Sequence, residues 1–296
     1  MDKYGFVFAG QGAQYAGMGS QIAMQSKAAA DIFRRADEIL GFSISELCFK
    51  GTLEDLTPCA ICQPAIYTVS MAFHAAHCAS DAGSFPEACG GLSLGEYAAA
   101  SVAGVFEFET GLKLVAERGR LMDQCCKAHP GGMAAVIGAD PAQIEEICRN
   151  AGVDVANYNC PGQIVISGEK AKLEVASQAL APISKRVIPL TVAGAYHSRL
   201  MAEAAENFAS SLDKVEMAVP KCRFVQNVTG GYVTSPNEIR RNLKDQITSS
   251  VRWEQCARAM MEQCTRFLEF GPGNVLSGFI KRIDRSIPAA PAVAEG

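Results

Sequence analysis

The 296-residue chain is 49% apolar and 20% charged, with a net charge of −4, which suits one large globular domain or a main body carrying a smaller insertion. A mildly acidic chain without a basic stripe is a poor ligand for nucleic acid, and no apolar run approaches the roughly 20 residues needed to cross a bilayer. The start, MDKYGFVFAG, has no long apolar core behind a basic segment, so no export signal is read and the twelve irregularly spaced cysteines are expected to be reduced, small core residues of a cytoplasmic protein.

Tyr4 to Ala9 is a short apolar run that reads as a buried strand, followed by the Gly-rich loop GQGAQYAGMGS. Helical patterns follow at about 20 to 40 and 63 to 82, with Pro64 suited to a first helical turn. In the second, Cys59 and Cys62 form a lone CxxC without a second pair at zinc-finger distance, and His74 and His77 share a face without the Glu of a zincin. Both pairs are therefore read as packing residues. Pro86 to Gly91 is a weak strand signal and Leu94 to Ala103 a helix-prone stretch, with Gly91-Leu92-Ser93-Leu94-Gly95 between them. Strand, glycine-flanked turn and helix form the context of a nucleophile elbow, although Ser93 alone is equally a helix cap.

From about 130 to 195 the rhythm changes. Strand 133–138, helix 141–152, strands 153–158 and 163–168 joined by Asn159-Cys160-Pro161-Gly162, helix 169–182 and strand 185–192 spell βαββαβ, the ferredoxin-like order. It interrupts a larger α/β body, which resumes after 197 with a helix to about 213, a strand at 223–228, a helix near 253–263 and the strand FLEF at 267–270. A further helix follows Gly271-Pro272-Gly273, and the aperiodic tail SIPAAPAVAEG is expected to be disordered.

A serine hydroxyl needs a base, and the chain has four histidines. His197 follows the apolar run VIPLTVAGAY at a strand-to-helix junction, where α/β folds place ligands, so it is the best base available. The alternative is an ordinary helix-start residue with Ser198 as the cap. In GLKLVAERGRLMDQ, Arg118 lies on one helical face with Leu114, Leu121 and Met122, whereas Arg120 lies on the polar face. A buried guanidinium needs an anion, either an internal Asp or Glu or a substrate carboxylate. Gln11, held between glycines, offers donors suited to an oxyanion.

Together these segments resemble the malonyl-CoA:acyl carrier protein transacylase family of fatty acid synthesis and the related acyltransferase domains of polyketide synthases. The matching elements are FVFAGQGAQ (6–14), QPAIYTVS (63–70), GLSLGEYAA (91–99) and ERGRLM (117–122). They continue through NYNCPGQIVISG (157–168), GAYHSRLM (194–201), SVRW (250–253) and EFGPGNVLSGFIKRI (269–283). The resemblance implies an α/β-hydrolase-like large subdomain, residues 1–128 and 196–296, with an inserted ferredoxin-like small subdomain, 129–195. It implies transfer of malonyl from malonyl-CoA to the phosphopantetheine thiol of holo-acyl carrier protein through a malonyl-Ser93 intermediate. In that scheme His197 is the base, the N–H groups of Gln11 and Leu94 form the oxyanion hole, and Arg118 grips the malonyl carboxylate. The base would be oriented by a main-chain carbonyl, which the SVRW match assigns to Arg252.

No cofactor or metal is implied beyond the two substrates, and the resemblance favours a monomer. Leu92 stands where the family usually has histidine, which removes a polar neighbour of the nucleophile but not the base. Tyr196 and Leu94 lean towards malonyl over methylmalonyl. Lys281 and Arg282 are either carrier-docking residues or a solvated helix end. Three competing readings remain: a stand-alone polyketide-type acyltransferase, an acyl-thioester hydrolase on the same elbow, and an inactive scaffold that binds carrier protein.

Overall fold

The computed structural model describes residues 2–80 and 85–292. The chain begins with β1 (Tyr4–Phe8), then α1 (Ser20–Gln25), α2 (Lys27–Leu40), α3 (Ile44–Lys50) and α4 (Cys59–Ser80). Next come β2 (Ala88–Gly91), α5 (Gly95–Val102) and the long α6 (Phe108–Ala128). A central segment supplies β3 (Gly131–Ile137), α7 (Pro141–Ala151), β4 (Asp154–Cys160), β5 (Gln163–Glu169), α8 (Lys170–Leu180) and β6 (Arg186–Pro189). A 3-10 turn, Arg199–Met201, leads into α9 (Ala202–Leu212), β7 (Arg223–Gln226), β8 (Gly231–Tyr232) and α10 (Pro236–Asp245). The chain closes with α11 (Trp253–Met261), β9 (Arg266–Phe270), α12 (Val275–Ile283) and β10 (Ala289–Pro291).

Two sheets result. The larger runs β10-β9-β1-β2-β7-β8, parallel throughout except for the β7–β8 hairpin. Its strands are short apolar runs because helices cover both faces, as parallel sheets require. One face packs against α2, α4, α5 and α6 around Phe6, Phe8 and Phe270; the other packs against α11 and α12 around Val7, Trp253 and Ile280. The smaller sheet is antiparallel in the order β4-β5-β3-β6, with α7 and α8 on one face. That order and connectivity are ferredoxin-like, as the sequence rhythm anticipates. The small sheet is fastened to the body where Val251 exchanges bonds with β4: Val251 N–H donates to Ala156 O at 2.8 Å and Tyr158 N–H to Val251 O at 2.9 Å.

Several sequence expectations need correction. The 20–40 pattern is two helices, because Ser26 adopts an extended φ of −129° and its side chain caps α2 at Ala29 N. Pro64 sits inside α4 and not in its first turn, since both oxygens of Asp123 cap the N–H groups of Cys59 and Ala60 at 2.9 Å and start the helix earlier. The tail is ordered through residue 292: Ala289–Pro291 pairs with Phe267–Glu269 as an edge strand, where proline's missing donor is tolerated. Residues 293–296 of that tail lie outside the described residues.

Candidate active site

The carboxyl ends of β1, β2 and β9 meet at one point, and β2 there turns abruptly into α5. Ser93 occupies the turn at φ 52°, and the only other non-glycine described at positive φ is His197, at φ 55°. Left-handed backbone is costly for residues with a Cβ and is retained where geometry serves the site. The flanking glycines make the turn possible. A Cβ on Gly91 would lie 2.0 Å from the Gly95 carbonyl carbon, and one on Gly95 would lie 2.0 Å from Phe8 O. Because both clashes are with backbone, Gly95→Ala is expected to cost about 3 kcal/mol or more of stability, as overpacking with backbone displacement does. Chemical denaturation measures this; a loss below about 1 kcal/mol would show the elbow to be slack.

Around the elbow the polar groups converge. Ser93 Oγ lies 2.8 Å from His197 Nε2. His197 Nδ1 lies 2.8 Å from the carbonyl oxygen of Gln246, which fixes the ring and leaves Nε2 to face the hydroxyl. The expected orienting carbonyl, Arg252, is therefore corrected to Gln246. Gln246 caps the C-terminus of α10, where carbonyls lack helical partners, whereas Arg252 O opens α11 and already accepts Cys256 N–H at 3.0 Å. Ser198 is also the cap that the alternative reading supposed, its hydroxyl accepting from Leu200 N at 3.3 Å. The Ser198 cap and the contact of His197 with Ser93 coexist.

Arg118 is 1% exposed, as its apolar stripe predicts, and Arg120 lies at the surface paired with Glu117. Among the described residues no carboxylate lies within 4.0 Å of Arg118, so the internal ion pair is absent. It is held by neutral acceptors instead: Gln63 Oε1 at 2.8 Å, Gln246 Oε1 at 3.1 Å and Ser93 Oγ at 3.2 Å. Its Nε is buried without a partner, and the Tyr97 ring lies beneath it at 5.6 Å. A buried cation with an unused donor, its Nη2 3.2 Å from the Ser93 hydroxyl, has capacity for an anion arriving from outside.

The sequence reading missed a supporting shell. Asn227 Oδ1 accepts Ser93 N–H at 2.6 Å while its Nδ2 donates to Gly91 O at 2.8 Å, so one amide clamps both sides of the elbow. Gln246 Nε2 adds a bond to Ser93 O at 3.0 Å. Asn227 is anchored through its own N–H to Glu96 Oε2 at 2.6 Å, and Glu96 Oε1 accepts Gln226 Nε2 at 3.0 Å. Burial raises the Glu96 carboxyl to about 7 despite these donors.

Burial, and then the charge of Arg118, lower the His197 imidazole to about 4. The ring is therefore neutral and able to accept a proton well below the usual histidine range. An ordinary imidazole near 6.5 would be about nine-tenths protonated one pH unit lower. The acid limb of kcat/KM, which reports free-enzyme groups, is expected near pH 4. Arg118→Gln should move it upward by removing one cause of the depression. A wild-type limb at the ordinary imidazole value would contradict the buried, cation-facing ring.

These groups open on a cleft of about 230 Å³ between the two sheets, lined by Gln11, Leu92, Ser93, Arg118, Tyr196 and His197 among others. The Gln11 side chain turns to Tyr196 Oη and Cys59 Sγ, both at 3.3 Å, while Leu94 N–H belongs to the start of α5. Leu92 lines the same cleft and presents hydrocarbon next to Ser93. Cys59 and Cys62 are buried and unbridged, and burial raises both thiols, as packed residues require. His74 and His77 pack edge-on against Phe6 and Phe270. Arg282 is occupied, bonding Gln163 Oε1 at 2.7 Å and Pro161 O at 3.2 Å to tie α12 to the β4–β5 turn.

The site thus joins a serine at the sharp turn after a central parallel strand, a histidine on the connection that follows the small antiparallel sheet, and a buried guanidinium. The chain belongs to the acyl transferase domain family, which it matches over residues 5–286. The malonyl CoA-acyl carrier protein transacylase of Bacillus subtilis (strain 168) is 38% identical over 294 residues, covering 97% of this chain and 92% of the relative. The polyketide biosynthesis malonyl CoA-acyl carrier protein transacylase PksC of the same organism is 39% identical over 292 residues, covering 97% and 99%. Among solved structures, the malonyl CoA-acyl carrier protein transacylase of Coxiella burnetii has a TM-score of 0.93 at 34% identity, covering 98% and 94%. A type II PKS malonyl-transacylase in complex with its acyl-carrier protein also has a TM-score of 0.93, at 35% identity, covering 98% and 95%. Among the described residues no helix is long and apolar enough to cross a membrane.

Proposed function

We propose that this chain transfers malonyl from malonyl-CoA to the phosphopantetheine thiol of holo-acyl carrier protein for fatty acid synthesis, by way of a malonyl-Ser93 ester. The observation that carries the reading is Arg118, a buried guanidinium with no carboxylate partner among the described residues and with Nη2 3.2 Å from Ser93 Oγ. His197 takes the Ser93 proton as Oγ attacks the thioester carbonyl, and the N–H groups of Gln11 and Leu94 receive the oxyanion. Collapse expels the CoA thiolate, which takes the proton from His197. The carrier thiol then gives its proton to His197 and attacks the ester; collapse frees the Ser93 alkoxide, which recovers the proton. Double displacement of this kind needs nothing but the two substrates and these side chains. In this reading residues 129–195 form a subdomain that walls the cleft opposite the elbow formed by 1–128 and 196–296, and the twelve free thiols suit the reducing cytoplasm.

Brief exposure to malonyl-CoA should add one malonyl group to Ser93, detected by intact-protein mass, and holo-acyl carrier protein should discharge it. Free malonate released faster than carrier is loaded would make the protein a hydrolase, and no adduct at all would make it a scaffold. The similarity to PksC supports a second reading, in which the acceptor is a polyketide carrier protein. Transfer rates to fatty-acid and polyketide carriers compared side by side separate the two.

A further inference from the structure

We propose that Cys125, His129 and Glu203 form a binding site for a divalent cation of the zinc class, separate from the acyl-transfer cleft. One ligand atom from each residue lies within 4.8 Å of the other two, and His129 Nε2 is 3.9 Å from Glu203 Oε2. The spacing of four residues puts Cys125 and His129 on one face at the end of α6, where His129 N–H still donates to Cys125 O at 2.8 Å. Glu203 reaches them from the first turn of α9.

The donor set of thiolate, imidazole and carboxylate is one that zinc takes up, leaving a fourth position for water. Zinc bonds of about 2.0 to 2.3 Å place tetrahedral donors roughly 3.5 Å apart, so the cluster must contract by about 1 Å. It can do so, because the His129 and Glu203 side chains are 48% and 66% exposed and can turn, while Cys125 is buried and fixed. Burial raises the Cys125 thiol, and the N–H groups of Ala204 and Glu203 at the start of α9 only partly oppose it, so the cation itself must draw off the proton. The thiol now donates to Leu200 O at 3.1 Å; on binding, its S–H bond breaks, the proton leaves to solvent and an S–metal bond forms.

The position gives such a cation a mechanical effect. The chain leaves the large sheet for the small one after α6 and returns just before α9, so the cluster bridges both crossings. His197 lies on the returning one, six residues before Glu203. An occupied site would pin the end of α6 to the start of α9, the two points at which the chain leaves the large sheet and comes back to it.

Cobalt(II) titration of the reduced, metal-free protein tests this. One equivalent is expected to bind with a thiolate-to-cobalt absorption band, and Cys125→Ser should abolish the band. His129→Ala and Glu203→Gln, both at the surface, should each weaken binding on the order of tenfold or more. Removing the exposed thiol by Cys78→Ser should change nothing. The proposal is overturned if no stoichiometric binding occurs, if His129→Ala and Glu203→Gln bind as tightly as wild type, or if Cys78→Ser loses the band.

Discussion

Ser93→Ala is expected to eliminate the malonyl-protein adduct and lower transfer to carrier protein on the order of ten-thousand-fold, the scale of losing a covalent nucleophile. The substitution removes the atom that His197 faces at 2.8 Å and that Arg118 contacts at 3.2 Å. It does not remove the clamp on the elbow, because Asn227 and Gln246 bind residue 93 through its main chain. The variant should therefore fold with little change in thermal midpoint, and intact mass after brief exposure to malonyl-CoA reads the adduct directly. An adduct that persists in Ser93→Ala, or a loss below about tenfold in a folded variant, would remove Ser93 from the mechanism.

Arg118→Ala should divide two substrates. A bidentate, charge-assisted contact in a buried site contributes about 2 to 4 kcal/mol, so kcat/KM for malonyl-CoA should fall roughly 30- to 900-fold. Acetyl-CoA, which has no carboxylate, should be used as well as before or better. The guanidinium also supplies donors to Gln63 and Gln246, and stranding these buried acceptors costs on the order of 1 to 3 kcal/mol of stability. Arg118→Lys keeps the charge without the planar fork and should fall between wild type and alanine for malonyl alone. Equal losses for malonyl and acetyl would reduce Arg118 to a structural post.

Arg118 was legible because a helix exposes its own contradictions: one charge on a stripe of Leu114, Leu121 and Met122 cannot be solvated. The pairing of Ser93 with His197 was legible in context, since few histidines competed and glycines framed the serine. The small sheet followed from strand and helix rhythm, because its central strands, buried on both faces, read as short apolar runs bounded by turn residues, and its strands alternate with two helices. Gln246 was not legible, because its decisive atom is a main-chain carbonyl that every residue possesses. What makes it available is the end of α10, a helix that the sequence announces with Ser235-Pro236 and Glu238, a start signal left unread. Asn227 and Glu96 act by burial inside a network, and no local pattern distinguishes a buried amide from an exposed one. The edge strand at 289–291 escaped for the opposite reason: only Ala289 buries a side chain, so no periodicity forms.

In the proposed mechanism, a neutral carbonyl behind His197, with a cation in front of it, makes the strength of the base depend on cargo. Burial, and then the unneutralised charge of Arg118, hold the imidazole weak. A seated malonate tail offsets that positive field, and the ring then becomes more eager for a proton just as a thiol arrives to give one. An acetyl tail brings no such relief. Under the proposed function, selectivity rests on proton affinity as well as on fit.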